Sequence, residues 1–432
     1  MAGNLRDRLR RIQDNKKAAV QEAVTKNCSK ATPAQKFFGG NLQLKFPGWE
    51  TAGFGIVRRE IIVPAPDVFA QLSGISSALA ILIPDLNHIA KTKGHLPEIT
   101  DILFFDLETT GLSGGAGTVA FLAAFGRFVH TGAALSLRIT QYLLLDYPGE
   151  NDFLEALLGE FKNKQQVITS YNGKCFDSQI LKTRCLMNGI KPPEYFHADL
   201  LYPARRLWKR ILANCSQGTI ETEVLGLDRT GDTPGFMAPE IWFDFLKTGN
   251  EEPLMGICDH NCRDITGLAS IFAGLADIAC NPISALEKYR CDLEQLALHW
   301  RDFIHREKNN PFYAADMITL EKTKDFFMNL AANEKYPRAA FVYALDQLRY
   351  GDHDEGRKRL LTIAASDLPL TMLAAAFRAL AIDSERRLAD VFQAVEFAKK
   401  GLQLQEGGSW QREFEHRVQR LEGKLEKNCS LC

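Results

Sequence analysis

The order of apolar and helical segments between residues 102 and 190 places the strongest constraint on the fold of this chain. Apolar runs bounded by turns predict strands, and a spacing of three to four residues between apolar positions predicts helices. The segments are, in order, the strands ILFFDLE, TVAFLAAFGRFV and ALSLRITQYLLL, the helix ENDFLEALLGEFKN, the strand QVITSYN and the helix DSQILKTRCLMNGI. Strands in succession, followed by alternating strands and helices, predict an α/β domain with a mixed central sheet flanked by helices.

The 432-residue chain is too long for one ordinary core, and its pattern divides it into three parts. Residues 99–280 carry the α/β pattern. Residues 281–432 are almost wholly helical, which predicts an all-α domain. Within them, RAAFVYALDQLRYGDHDEGRKRLLTIA and AAAFRALAIDSERRLADVFQAVEFAKKGLQL resemble helix–turn–helix units of the tetratricopeptide kind, with a period of about 38 rather than 34 residues.

Residues 1–98 form the third part and have no predicted role. Residues 1–30 contain eight Lys or Arg against three acids, which fits either a phosphate-seeking arm or a frayed, solvated helix. The mixed segment that follows includes GFGIVRREIIV, which predicts a strand, and DVFAQLSGISSALAILI, which predicts a helix.

Composition limits the classes of function. The formal net charge of −1 means that nucleic-acid binding would depend on local basic patches. No run of about 18 apolar residues is present, so no membrane partner is expected. The first residues lack the apolar centre of a secretory signal, and we expect a cytoplasmic protein.

Two carboxylates follow the first predicted strand. Residues i and i+2 of a strand point to the same side, so Asp106 and Glu108 are predicted to face one place. Adjacent carboxylates repel each other unless a cation lies between them, and oxygen ligands of this kind suit Mg²⁺ or Mn²⁺. The glycine-rich GLSGGAG that follows would let another backbone approach, although it also fits a flexible hairpin connection.

Further polar residues lie at the ends of later elements. Asn172 follows a predicted strand, and Asp177 begins a helix, where an N-cap role is the alternative. His260 and Asp264 are four residues apart and share a helix face, which also fits a surface hydrogen bond.

Taken together, these motifs resemble the DEDD superfamily of exonucleases, which have a ribonuclease H-like fold. FFDLETTGL is similar to the first motif of that superfamily, SYNGKCFD to the second and HNCRD to the third. The longer strings DLETTGLSGGAGTVAFL, HADLLYPARRLW and GDTPGFMAPEIWFDFL resemble the bacterial YprB-like branch, whose members carry tetratricopeptide-like tails.

The resemblance implies a 3′–5′ exonuclease that hydrolyses phosphodiester bonds with two divalent cations, Mg²⁺ or Mn²⁺. It implies that Asp106 bridges both cations, that Glu108 and Asp264 complete the first site, and that Asp177 holds the second. His260 would be the general base. The histidine precedes the last aspartate by four residues, which is the spacing of the tyrosine-type members; in histidine-type members it is five.

Substrate contacts are predicted from three regions. Thr109, Gly111 and Leu112 lie at the end of the first motif, and Asn172 either positions the substrate or binds its own loop. In DLLYPARRLWKR, Arg205 and Arg206 begin two basic rows beside Trp208. That face fits either a phosphate-binding surface with a stacking ring or a solvated basic face with Trp208 in the core, and Asp199 before it is predicted to be an N-cap.

Two functional hypotheses remain. The first is a metal-dependent nuclease acting on DNA or RNA. The second is a non-catalytic adaptor that binds nucleic acid or protein, because a scaffold can be reused without its chemistry. The complete set of four acids favours the enzyme. The helical tail either binds a protein partner on a concave face or shields the catalytic domain.

Overall fold

A computed structural model describes residues 48–67, 77–111, 115, 117–132, 134–163, 165–333, 336–404 and 408–429. The basic segment 1–30 and Leu112 lie outside the described residues, as does most of the first half of DVFAQLSGISSALAILI.

Seven strands form one sheet in the order β1-β2-β5-β4-β3-β6-β7. Strands β1 to β5 pair antiparallel along this order, whereas β3, β6 and β7 pair parallel. The predicted mixed sheet is therefore confirmed. The strands are β1 (Trp49–Gly53), β2 (Ile56–Pro64), β3 (Ile102–Thr109), β4 (Ala120–Thr131), β5 (Ala134–Leu144), β6 (Val167–Ser170) and β7 (Phe196–Asp199).

Helices cover both faces of the sheet and continue beyond it. Those up to residue 280 are α1 (Leu79–Leu82), α2 (Pro84–Lys93), α3 (Glu150–Glu160), α4 (Asp177–Met187), α5 (Leu201–Trp208), α6 (Gln217–Thr219), α7 (Ala238–Thr248) and α8 (Glu252–Cys280). A short π-helix, Ile220–Val224, follows α6. The later helices are α9 (Pro282–Lys288), α10 (Leu293–Glu307), α11 (Met317–Asn333), α12 (Pro337–Tyr350), α13 (His353–Ala364), α14 (Leu370–Arg386), α15 (Val391–Gln403) and α16 (Gly408–Cys429).

Alternate residues of the central strands bury two separate faces. In β3, Phe104 packs in the cluster that includes α8, whereas Leu103 and Phe105 pack in the cluster that includes α3, α4 and α7. The long helix α8 lies close to β4, because a Cβ added at Gly126 would lie 2.4 Å from the Cγ2 atom of Ile265. This close packing fixes α8 across the carboxyl end of β3.

The core runs across both predicted domain boundaries. Strands β1 and β2, from the segment without a predicted role, extend the sheet beyond β5. Beyond residue 280, Trp300, Phe303 and Phe327 belong to the same buried cluster as Phe104. Residues 49–64 and helices α10 and α11 therefore support the α/β domain directly.

The C-terminal region is helical, as predicted. Helices α12 and α13 pair, as do α14 and α15, and successive helices pack side by side around a separate buried cluster that includes Leu360, Leu380 and Phe414. Its tetratricopeptide-like character stays a prediction. None of the helices in the described residues is both long and apolar enough to cross a membrane.

Candidate active site

The carboxyl end of β3 presents Asp106 and Glu108 on the sheet face that α8 crosses. Both follow Phe104 on that face, since side chains two residues apart point the same way, and Leu107 between them packs in the opposite cluster. Glu108 is only 9% exposed. The strand β3 builds the core along most of its length, but its last residues lie at a cleft between the sheet and α8. This position explains why it ends in two carboxylates.

Helix α8 places His260, Asn261 and Asp264 against these carboxylates. The side-chain amide of Asn261 donates a hydrogen bond to Oδ2 of Asp106 at 2.7 Å. Nε2 of His260 lies 3.9 Å from Oε1 of Glu108 and 3.2 Å from Oδ2 of Asp264. The His260 and Asp264 side chains are largely buried, so their pairing is not the surface hydrogen bond of the alternative interpretation.

Asp177 is the first residue of α4 and is 5% exposed. Phe176 occupies the N-cap position, so the N-cap interpretation of Asp177 was wrong. The loop before it closes around the carboxylate: a Cβ added at Gly173 would lie 3.0 Å from Oδ2 of Asp177. Repulsion by Asp177 also contributes to the raised pKa of Asp106, which puts the two carboxylates within electrostatic range.

The electrostatics are those of a buried anionic cluster. Burial, and then repulsion by Asp264 and Asp177, raise the pKa of Asp106 well above its ordinary value. Burial and the neighbouring carboxylates, Asp106 first, do the same to the pKa of Glu108. Burial raises the pKa of Asp177 to about 7. Each of these groups would be stabilised in its charged form by a cation.

The donor set fits a hard divalent cation. Glu108, His260 and Asp264 each offer one ligand atom, and these atoms all lie within 4.8 Å of one another. Carboxylate oxygens predominate among the converging groups, and these are the ligands that Mg²⁺ and Mn²⁺ prefer.

Arg229, which precedes the GDTPGF stretch, also contributes to the site, although it was not among the predicted site residues. Its Nη2 donates to Oδ1 of Asp264 at 2.6 Å and to Oδ2 of Asp232 at 2.5 Å, and its Nη1 donates to Oε2 of Glu221 at 2.6 Å. Burial opposes the charge of the Arg229 guanidinium, but Asp264 and the other acids raise its pKa. The guanidinium therefore offsets part of the negative charge beside α8.

Asp232 lies on the other side of the His260 ring. Oδ2 of Asp232 is 3.0 Å from Nδ1 of His260. Burial acts to raise the pKa of Asp232, yet hydrogen bonds from Arg229 and His260 bring that pKa below its ordinary value. The imidazole of His260 is thus held between Asp232 and the carboxylates at the end of β3.

A buried amide chain orients Asp106 from the neighbouring strands β5 and β2, on the same face of the sheet. Nε2 of Gln141 donates to Oδ1 of Asn261 at 2.8 Å, and Nε of Arg59 donates to Oε1 of Gln141 at 2.5 Å. Gln141 and Asn261 are fully buried. Since each amide uses its oxygen as an acceptor and its nitrogen as a donor, the chain fixes which atom of Asn261 faces Asp106.

Asp199 organises the loop that precedes α4. It ends β7 and is 1% exposed. Its carboxylate accepts hydrogen bonds from the backbone N–H groups of Asn172, Lys174 and Leu201. The N-cap position of α5 is Leu200, one residue after the predicted one, yet the Asp199 carboxylate still binds the first backbone N–H of the helix and in addition holds the 172–174 loop.

The predicted substrate contacts differ in their surroundings. Asn172 is exposed and has a φ of 65°, a conformation that asparagine tolerates better than most residues. Thr109 is buried, and its hydroxyl donates to the carbonyl oxygen of Gly111 at 2.9 Å. Thr109 therefore shapes the start of the glycine-rich loop, whereas Asn172 presents its side chain to solvent.

The basic face of α5 is divided between two environments. Arg205 is exposed and acts electrostatically on Tyr171 beside the 172–174 loop. Arg206 lies 2.7 Å from Nε2 of His299 in α10, and Trp208 is 2% exposed and donates to the carbonyl oxygen of Tyr289. The core interpretation of Trp208 is the one observed, and Arg206 contacts the helical region rather than the cleft.

Comparison with known proteins agrees with this geometry. Residues 103–276 match the model of the ribonuclease H superfamily and form a domain of that superfamily. Over 190 residues, this chain is 38% identical to the uncharacterized protein YprB of Bacillus subtilis (strain 168). The match covers 43% of this chain and 44% of that relative, so it spans less than half the length of each.

Proposed function

We propose that the ribonuclease H superfamily domain formed by residues 103–276 is the catalytic unit of a metal-dependent nuclease, a 3′–5′ exonuclease that uses two Mg²⁺ or Mn²⁺ ions. The observation that carries the proposal is the buried cluster of carboxylates from three separate elements. Asp106 and Glu108 come from β3, Asp177 from α4 and Asp264 from α8, and burial, followed by repulsion among these carboxylates, raises the pKa values of Asp106 and Glu108.

The same four carboxylates would hold the cations. When bound, the cations neutralise charge on the phosphate group and make a nearby water more acidic. An adaptor without chemistry to perform would bear the cost of this repulsion without any benefit, since burying like charges destabilises a fold.

His260 would accept the proton of the attacking water. Its Nε2 faces the cleft between Glu108 and Asp264, and imidazole is a competent base near neutral pH. Asn261 supports the reaction indirectly, because its amide fixes the orientation of the Asp106 carboxylate.

The surroundings of the cleft suit a nucleic-acid strand. Arg205 and Asn172 are exposed beside the 172–174 loop and can contact phosphates or bases. On the other side, a Cβ at Gly235 would lie 2.8 Å from Nε2 of His260, and the next residue, Phe236, is 70% exposed. Exposed aromatic rings are typical stacking platforms for unpaired bases.

The test is nucleotide release from DNA and RNA strands labelled at either end, with Mg²⁺ or Mn²⁺ and with EDTA. We expect release of 3′ nucleotides by the wild type only with the cation. Asp106→Asn and Asp177→Asn should abolish this release. Asp244→Asn, which neutralises an exposed carboxylate on α7 that pairs with Lys247, should retain it. Equal release by all four proteins, or none from any substrate, would refute the proposal.

We also propose that the C-terminal helical region binds an acidic peptide of a partner protein. A cavity of about 380 Å³ lies between α12, α14 and α16, with Phe341, Ile382 and Trp410 in its lining. Arg349 and Arg386 are exposed at the same cavity and would attract acidic side chains. Binding of an acidic, leucine-containing peptide that is lost in Trp410→Ala would support this surface; equal binding of a basic peptide would contradict it.

A further inference from the structure

We propose that Asp232 is the positioning residue for His260: it accepts the Nδ1–H of the imidazole and so holds Nε2, unprotonated, towards the carboxylates of β3 and α8. The inference rests on the proposed nuclease function. It gives a role to a residue to which the resemblance to the DEDD superfamily assigns none. Fixing a base by a carboxylate on its far nitrogen is a general device of acid–base catalysis.

The hydrogen bonds of Arg229 decide which nitrogen of His260 carries the proton. Two groups lie near Nδ1: Oδ2 of Asp232 at 3.0 Å and Nη2 of Arg229 at 3.3 Å. An arginine Nη2 has two hydrogens, and both already have shorter bonds, to Asp232 at 2.5 Å and to Asp264 at 2.6 Å. The contact of Nδ1 with Asp232 is the shorter of the two, and a carboxylate can only accept, so we assign Nδ1 as the donor and Asp232 as the acceptor.

The loop that carries Asp232 is built onto one face of α8. Gly256, His260 and Gly267 lie on this face at intervals of four and seven residues. A Cβ at Gly256 would come within 2.7 Å of Oγ1 of Thr233, and one at Gly267 within 1.7 Å of Oε1 of Glu221. The two glycines therefore let the 221–235 segment lie directly on the helix, on both sides of His260.

Three further bonds stiffen the position of the Asp232 carboxylate. Nε and Nη2 of Arg229 donate to its Oδ2 at 2.8 and 2.5 Å, and Arg263 Nη1 lies 3.5 Å from its Oδ1. Glu221, only 2% exposed, anchors the other end of Arg229. Since Arg229 also binds Asp264, the acceptor for His260 and a carboxylate of the cleft are fixed by the same guanidinium.

A purely structural role for Asp232, as a partner of Arg229 that closes the loop, makes different predictions. Under that role, loss of the carboxylate lowers stability, and the rate changes only as far as the fold does. Under the positioning role, Asp232→Ala leaves substrate binding intact and removes the acceptor of Nδ1–H, so that the proton is no longer kept away from Nε2, the nitrogen that acts as the base. Asparagine would not make this test, because its amide oxygen would take the place of Oδ2, to which Arg229 donates two bonds, and would still accept from Nδ1.

The kinetic test compares Asp232→Ala with Asp228→Ala. Asp228 belongs to the same loop, is exposed, and accepts hydrogen bonds from Thr230, one of them from its backbone N–H. We expect kcat of Asp232→Ala to fall by about 10²- to 10⁴-fold, with KM nearly unchanged. Asp228→Ala should keep the wild-type kcat, and Asp232→Glu should recover part of the loss. A kcat for Asp232→Ala that equals that of Asp228→Ala refutes the positioning role while nuclease activity itself stands.

A second measurement does not require activity or cations. Nitrogen-15 spectra of the metal-free protein, with the His260 signals identified by their loss in His260→Gln, report which ring nitrogen bears the proton in the neutral imidazole. We expect Nδ1–H in the wild type and a shift towards Nε2–H in Asp232→Ala. Nε2–H in the wild type would overturn the inference, even if Asp232→Ala fails to fold and even if no nuclease substrate is found.

Discussion

Asp177→Asn should stabilise the metal-free protein although it abolishes the proposed activity. Burial raises the pKa of Asp177 to about 7 from 3.8. A carboxyl whose folded pKa lies above its unfolded value costs stability as pH rises, beginning near the unfolded pKa and reaching its full value above the folded pKa. The window for Asp177 is therefore from about pH 3.8 to about pH 7.

The size of the effect follows from that window. The difference of about three pH units corresponds to roughly 4 kcal/mol at 1.36 kcal/mol per unit. The charged carboxylate is partly compensated by backbone hydrogen bonds at Asp177 itself and at Leu107. The pKa of about 7 already includes these bonds, and a neutral amide oxygen accepts them much as a protonated carboxyl does. The gain for Asp177→Asn at about pH 8.5 is then about 4 kcal/mol, or a rise in Tm of about 8–16 °C for a domain of this size.

Calorimetry in EDTA at about pH 8.5 and about pH 4 measures this gain, with Asp244→Asn as the matched control. We expect a higher Tm for Asp177→Asn at the alkaline pH and almost no difference at the acid pH, since both proteins are then neutral at this position. Mg²⁺ should raise the Tm of the wild type more than that of Asp177→Asn, because only the intact set of carboxylates binds it fully. A Tm for Asp177→Asn at or below that of the wild type at pH 8.5 would show that the carboxylate is not held in a repulsive, buried cluster.

Three other outcomes are expected from the same structure. Asn261→Ala should lower kcat by about 10- to 100-fold, because Asp106 loses the amide that orients it; steady-state kinetics showing an unchanged kcat would contradict this. Arg205→Ala should weaken nucleic-acid binding and reduce the slope of log affinity against log salt by about one, whereas Arg206→Ala should leave that slope unchanged in a salt titration. Burial, and then Lys174, lower the pKa of His197 to about 4 from 6.5, so its neutral form stabilises the fold above pH 6.5 and this contribution is lost as pH falls towards 4. Denaturant titrations should show a flatter decline over this range for His197→Asn, and equal slopes would contradict the assignment.

The sequence predicted the central sheet and the acids at its edge because both leave local signals. Strands β3, β4 and β5 are long apolar runs, and Asp106 and Glu108 follow a period of two that any strand imposes. The spacing of four residues between His260 and Asp264 likewise predicted that both lie on one face of a helix. These features depend on residues close together in the chain.

The residues that the sequence did not identify act through distant contacts. Arg229 lies in a turn-rich stretch, LDRTGDTPGF, where a charged residue ordinarily faces solvent. Only the packing of that stretch on Gly256 and Gly267 brings Arg229 to Asp264. Gln141 faces inward from β5, and no local pattern distinguishes it from an exposed strand residue. Asp199 could be identified as important, but the partners of its carboxylate depend on how β7 lies beside the 172–174 loop.

The chain of Arg59, Gln141 and Asn261 has a consequence for where the proposed catalytic unit has to begin. A chain shortened to start at residue 99 retains every acid of the cleft. It loses β1 and β2, however, and with β2 the guanidinium of Arg59 that binds Gln141. The free edge of β5 would then be open to pairing with another molecule. At the same time, the Asn261 amide could rotate away from Asp106. A fragment with the proposed activity therefore has to include the hairpin of residues 49–64, even though that hairpin contributes no residue to the cleft itself.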